Sequence, residues 1–371
     1  MKPIRYGRLA AIVTAGALAL SACGNDPVSA GSNDGGNGGA SQEQAAVAGE
    51  IAGAGASSQE AAMQAWIAGF QSANPDATIT YEASGSGAGR TQFGEGAVAF
   101  AGSDAVMDDE EQATANERCG GEAIHLPLYI SPIAVIYNLD GVEDLQLSPA
   151  TLAGIFNGKI TTWNAPEIAA DNPDASLPSG PIRPVNRSDE SGTTENFTEY
   201  LAAAAGAAWP HEPSGDWPIQ GTQSAQGTSG VVQTVEGGQG TIGYADASKA
   251  GDLGVAKIKV GENYVEYSAA AAAKVVDESA RVEGRPEHDL AIELQRDTTA
   301  EGTYPIVLVS YTIVCLNYDD AAQGDVVKAF VGYLASAEGQ AQAEQAAGSA
   351  PISDALRSEV ESALDAISVG S

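Results

Sequence analysis

Four short stretches of the chain share one composition: GAGASS at 53–58, SGSGAGR at 84–90, AGSDA at 101–105 and NRSDESGTT at 186–194. Each mixes glycine or other small residues with hydroxyl side chains. The last sets Arg187 among polar residues, where no aliphatic core could form. In three of them a Ser or Thr falls at a strand-to-helix turn, where the first helical N–H groups lack intrahelical partners. Such N–H groups, helped by the helix dipole and by hydroxyl donors, can hold an anion without any net positive charge. Arg187 would add a planar, permanently charged fork suited to a tetrahedral oxyanion. Taken singly, each stretch reads as an ordinary helix cap and the arginine as a solvated side chain. The chemistry lies in the combination.

The elements that must position them follow from the hydrophobic pattern. From Glu50 onward short apolar runs alternate with amphipathic stretches, the mark of an α/β fold. GEIAGAG at 49–55 reads as a strand, and SSQEAAMQAWIAGFQSANP at 57–75 as a helix with Met63, Trp66, Ile67 and Phe70 on one stripe. Ser57 and Glu60 have the spacing of a capping box, which places the start of that helix at the turn. The two longest β-rich runs, 123–139 and 303–318, bracket a middle section with strands and helices of its own. A chain that leaves one domain, builds a second and returns through two extended crossovers makes two lobes, a hinge and a cleft. Each lobe is then an open α/β sheet, with ligand groups at the carboxyl ends of its strands.

Length and charge set the outer limits. The chain has 371 residues, enough for two domains, and 49 acidic residues against 17 basic ones give a formal net charge of −32. That balance disfavours nucleic acid and anionic lipid surfaces as partners, so any bound anion must be held by local donors. At the N-terminus Lys2, Arg5 and Arg8 precede the apolar stretch Leu9 to Leu20, too short to span a bilayer, and LSAC ends at Cys23. This resembles a bacterial lipoprotein signal over 1–22, cleaved before a lipidated Cys23, with 23–47 as a flexible Gly/Ser/Asn-rich tether. The two other cysteines, Cys119 and Cys315, are an even pair in an exported chain, which favours a disulfide.

The order of the motifs resembles the PstS family, the phosphate-binding proteins of high-affinity phosphate ABC transporters. The carriers are GAGAS before a helix with a Trp, YEASGSGAG, FAGSDA, LAGIFNGKITTWNAPEI (152–168), RPVNRSDESGTT and GTIGYADASKA. They span the chain from Gly49 onward. The resemblance implies the two-lobe periplasmic-binding-protein fold of type II, with two open α/β sheets joined by a two-strand hinge. Lobe one would comprise 48–130 and 306–371, and lobe two 131–305. It further implies phosphate contacts at Ser57, Ser58, Ser86, Asp104, Arg187, Ser191, Gly192 and Thr193, with Asp189 orienting the guanidinium from behind. A common family form has Thr-Phe where this chain has Ser57-Ser58; the contact at the second position is through main-chain N–H, so the change touches local packing. The implied protein is a monomer without cofactor or metal, lipid-anchored on the extracytoplasmic face of the cell membrane, delivering inorganic phosphate to ABC permease subunits.

Asp104 fits that picture for a chemical reason. An ionised carboxylate can only accept, and phosphate near neutral pH still carries a proton to donate, whereas sulfate does not. Three rival readings stay open: a binder or sensor of another oxyanion on the same scaffold, a phosphohydrolase, and a purely structural surface lipoprotein. Against the second, His125, His211 and His288 lie outside the four stretches, and no metal-binding or G-x-S-x-G motif occurs. GIFNGKI at 154–160 imitates a P-loop but has three residues between its glycines and Ile after Lys159.

Overall fold

The computed structural model describes residues 47–370. The signal segment 1–22, Cys23 and all but the last residue of the tether lie outside the described residues. Three parallel strands open the fold: β1 (Gly49–Gly55) at the centre, β2 (Ala77–Glu82) on one side and β3 (Phe100–Ser103) on the other. Helices α1 (Glu60–Ala73), α2 (Ser86–Gly94) and α3 (Asp109–Cys119) connect and cover them. Helix α1 buries Met63, Trp66 and Phe70, as its apolar stripe requires, while Ile67 stays half-buried. The Trp66 indole donates to Gly339 O at 2.7 Å, so its polar end is satisfied inside the core.

Strand β4 (Ala123–Asn138) is the element that makes two lobes from one chain. All of it but Asn138 is buried, and it belongs to both sheets in turn. Its first part, to Pro132, pairs antiparallel with the returning strand; its second part, from Ile133, pairs antiparallel with a strand of the second lobe. Between them lie helix α4 (Pro149–Phe156), β5 (Arg183–Arg187), α5 (Gly192–Ala205), β6 (Gln223–Ala225), α6 (Gly227–Glu236), β7 (Thr241–Asp246) and β8 (Gly254–Val255). The return strand β9 (Val307–Cys315) lies between β3 and β4. The first sheet therefore runs β2-β1-β3-β9-β4, and the second runs β6-β5-β7-β4-β8, the same order built twice. Helices α7 (Ala321–Ala335), α8 (Ala337–Ala347) and α9 (Asp354–Ala366) complete the first lobe.

The crossover itself is narrow. Ile133 N–H donates to Ile306 O at 2.7 Å, and the Tyr304 hydroxyl donates to Ile133 O at 2.9 Å. The β-rich run at 303–318 becomes regular strand only from Val307. Tyr129, on the first-lobe part of β4, donates to Asp246 Oδ1 at the end of β7 at 3.0 Å. Asp246 Oδ2 is buried without a partner, and burial pushes this carboxyl up to about 6. A carboxyl raised in the folded state makes the fold prefer its protonated form, so its contribution to stability falls as pH rises from about 4 to about 6. Asp246→Asn keeps the acceptor for Tyr129 and removes the charge; its melting temperature at pH 7.5 is expected to exceed the native value, the gap closing below pH 4. A melting curve with no such gap refutes this.

Two further features tie the first lobe. Cys119, at the end of α3, is joined to Cys315, at the end of β9, as a disulfide with Cα atoms 5.3 Å apart. The stretch 279–293, inside the 131–305 range, hydrogen-bonds mainly to the first lobe. Asp289 receives the His125 N–H and its ring Nδ1 at 3.1 and 2.9 Å, and Arg285 donates to Met107 O at 2.7 Å. Sequence order alone could not separate this hairpin from the lobe that precedes it.

Candidate functional site

The carboxyl ends of β1, β3 and β5 converge on one buried polar cluster at the cleft. Ser57, Ser58, Ser86, Asp104, Arg187, Ser191, Gly192 and Thr193 are all buried, and Ser58 has no exposed surface at all. A buried polar group costs free energy unless it is hydrogen-bonded, so the partners of each define the site.

Asp104 follows β3 and sits at the centre. Its Oδ1 accepts from the Ser58 hydroxyl at 2.7 Å, and its Oδ2 accepts from the Thr193 hydroxyl, across the cleft, at 3.0 Å. Its own N–H donates to Ser86 Oγ at 3.1 Å. Burial raises its pKa, while hydroxyl donors, Ser58 first, and the Arg187 charge act in the opposite direction. Arg187 ends β5 and makes a two-point pair with Asp189, Nε to Oδ1 at 2.9 Å and Nη2 to Oδ2 at 2.5 Å. That pair takes two of the guanidinium's five N–H donors and leaves the rest for a ligand. Burial alone would push Asp189 up; the Arg187 bond and charge, with the Gly227 N–H at 3.0 Å, hold it below the usual carboxylate range.

The third wall is the N-terminus of α5. Ser191 caps it, its hydroxyl accepting the Thr194 N–H at 3.2 Å while its own N–H donates to Gly215 O at 3.0 Å. Gly192 is required by close approach: a Cβ there would stand 2.7 Å from both Asp104 Cβ and Ser86 Oγ. Gly85, at φ 104°, likewise leaves room for Asp189 Oδ2, 2.7 Å from where its Cβ would be. Two lobes thus meet backbone to side chain.

One expectation fails locally. Ser57 and Glu60 form no capping box: α1 begins at Glu60 with Gln59 as its N-cap and no side-chain cap bond. The Ser57 hydroxyl is engaged across the cleft, 3.0 Å from Thr228 Oγ1 and accepting the Thr228 N–H at 3.1 Å. A tertiary partner outbids the local one because it satisfies two groups in a buried setting.

Sequence reasoning missed Thr228 and Gly227. They open α6 after the short strand β6, in the stretch QGTSG, which has the same glycine-hydroxyl composition as the four stretches. Arg90, inside SGSGAGR, was also unassigned. It lies buried between the lobes, pairing Glu111 at 2.8 Å in its own lobe and Glu190 at 2.7 Å in the other. A cavity of about 570 Å³ reaches the cluster only at Asp104; its other walls include Glu195, Asn196, Glu199, Arg296 and Tyr311. It lies beside the cluster, and the converging donors, not this void, make the candidate anion site. Burial and neighbouring acids push Glu195 on its wall up to about 7, despite Arg90. Of the histidines, His125 is locked on Asp289, and His211 packs on Trp209 with Nε2 3.1 Å from Asn157 Oδ1; neither reaches the cluster.

Comparison with known proteins bears on this arrangement. Residues 40–338 match the PBP superfamily domain. The chain is 38% identical to "Phosphate-binding protein PstS 3" of Mycobacterium tuberculosis over 379 aligned positions, covering 99% of this chain and 100% of that one. The chain belongs to the PstS family. A second PstS-family relative, from Xylella fastidiosa, is 32% identical over 66% of each chain. Among solved structures, the fold superposes with a TM-score of 0.71 on a "high affinity periplasmic phosphate-binding protein (PfluDING) bound with phosphate", at 23% identity over 85% of this chain and 93% of that one. The phosphate-binding protein of Stenotrophomonas maltophilia gives a TM-score of 0.67 at 21% identity, over 85% and 94%. These likenesses carry the two-lobe type II fold, which PstS-family members share.

Proposed function

We propose that the chain is an extracytoplasmic receptor that closes its two lobes around one inorganic phosphate and presents it to the permease of an ABC transporter. The observation that carries the reading is the buried interlobe cluster in which Asp104, an acceptor, faces Arg187 and the start of α5, which are donors. Full-length identity to proteins named for phosphate binding supports the same ligand. Ser57, Ser86 and Ser191 offer hydroxyls, Ser58, Gly192 and Thr193 offer main-chain N–H groups because the Ser58 and Thr193 hydroxyls are held by Asp104, and Arg187, braced by Asp189, supplies the charge. Ligand contacts from both lobes exist together only in the closed state, so phosphate shifts the population toward closure. The basic n-region and LSAC at 20–23 support anchoring through a lipid on Cys23, with the receptor acting as a monomer.

Asp104 is the discriminating group. It accepts the proton of phosphate, whereas sulfate would set its oxygens against carboxylate lone pairs. Titration calorimetry of residues 48–371 should give a phosphate affinity far above that for sulfate. Asp104→Asn, which can donate, should narrow the ratio by roughly 1–3 kcal/mol, about 5- to 150-fold. An unchanged ratio would remove Asp104 from selectivity, and absence of phosphate binding by the native chain would refute the reading. As a receptor, the chain should release no product from a chromogenic phosphate ester.

A further inference from the structure

Behind the anion cluster lies a second buried polar network that none of the ligand contacts uses. Asn196, on the second turn of α5, is buried, and its side-chain amide donates to two main-chain oxygens, both at 2.7 Å: Asp104 O in the first lobe and Gly192 O in its own helix. Its Oδ1 accepts from Arg296 Nη2. Arg296 is buried as well; Nη2 also pairs with Glu199 Oε2 at 2.7 Å, and Nη1 donates to Val307 O at 2.5 Å, with Pro305 O at 3.5 Å. Those carbonyls belong to the return crossover beside the Ile133–Ile306 contact. A single guanidinium therefore connects the hinge backbone to an amide that reaches across the cleft to the residue carrying the central carboxylate.

We propose that Asn196, aimed by Arg296, is the closing latch of the cleft: it bonds Asp104 O only when the lobes meet, and so sets how long a bound anion is retained. The inference rests on the phosphate-receptor reading and adds positioning residues to it. Three physical points support it. A side-chain amide has two N–H donors, and here they are divided between the two lobes. The Asp104 carbonyl is the main-chain end of the residue that faces the anion, so a bond there fixes the carboxylate without touching the ligand. The planar fork of Arg296 cannot shift toward Asn196 without leaving Val307 O, so the amide's orientation is tied to the hinge geometry. A bond present in the closed state and lost on opening slows opening and leaves the encounter rate nearly untouched, because encounter occurs with the lobes apart.

Stopped-flow measurement of phosphate association and release on the chain from residue 48 tests this. Asn196→Ala removes both donors and should raise the release rate about 10-fold. Asn196→Asp keeps an acceptor for Arg296 but sets a carboxylate oxygen against both Asp104 O and Gly192 O; release should accelerate about 100-fold. Both should associate at the native rate; without phosphate, Asn196→Asp, which keeps Arg296 paired, should melt nearer the native temperature than Asn196→Ala. A purely structural role would instead lower the melting temperatures and leave the release rate of the folded variants at the native value. Native release from Asn196→Asp overturns the latch while the receptor reading stands; a native chain that binds no phosphate overturns both.

Discussion

Arg187→Ala is expected to weaken phosphate binding by about 4 kcal/mol, roughly a thousandfold. Among the described residues the guanidinium is the one cation of the cluster, 3% exposed, and its loss removes charge-assisted bonds to the anion. It also strands Asp189, which would then present a half-buried carboxylate to an incoming anion, with only the Gly227 N–H at 3.0 Å left among its strong partners. The second part of the loss is separable. Adding Asp189→Asn to Arg187→Ala should recover some affinity, because the stranded charge is gone while the ligand bonds stay lost. Arg187→Lys should fall between native and Ala, since an ammonium keeps the charge but cannot fork onto Asp189 Oδ1 and Oδ2. Calorimetry on the four proteins decides it: affinity within about threefold of native for Arg187→Ala would take the arginine out of the site.

Reduction of the Cys119–Cys315 bond should cost the fold roughly 5 kcal/mol by loop entropy. The bridge closes a loop with a sequence separation of 196, so it removes a large share of unfolded-chain entropy. Urea unfolding of the Cys119→Ala/Cys315→Ala protein should show a lower midpoint with a changed slope, the slope reporting a less compact unfolded chain. Both cysteines lie at the far ends of α3 and β9 from Asp104, so phosphate affinity of the folded double variant should match the native value. Unaltered unfolding would show that the loop is already constrained by other means, and altered affinity would show coupling between the bond and the cleft.

Much of the site was legible because its chemistry is local. Glycine and hydroxyls at a strand end, followed by a helical period, announce N–H donors wherever they occur, and Arg187 to Thr193 lie within one such turn. The resemblance of six motifs in order implied the ligand and the roles of these residues. What failed was also local: Ser57 and Glu60 have capping spacing, yet the Ser57 hydroxyl is engaged by Thr228, 171 residues away. Thr228 could have been found, since QGTSG repeats the signal; Asn196 and Arg296 could not, because an asparagine inside a helix and an arginine in a loop carry no pattern.

The sequence by itself determined the alternation of strands and helices, the donor-rich turns, the acidic balance and the two long crossover runs. Each depends on neighbours within a few positions or on counts, which a linear string holds completely. Tertiary structure alone decided which lobe the 279–293 hairpin joins, which hydroxyls turn to the carboxylate, and how Arg296 ties the hinge to Asn196. Those are pairings between residues separated by about a hundred positions or more. They are chosen by where β4 passes from one sheet to the other, and no short window of residues contains that information.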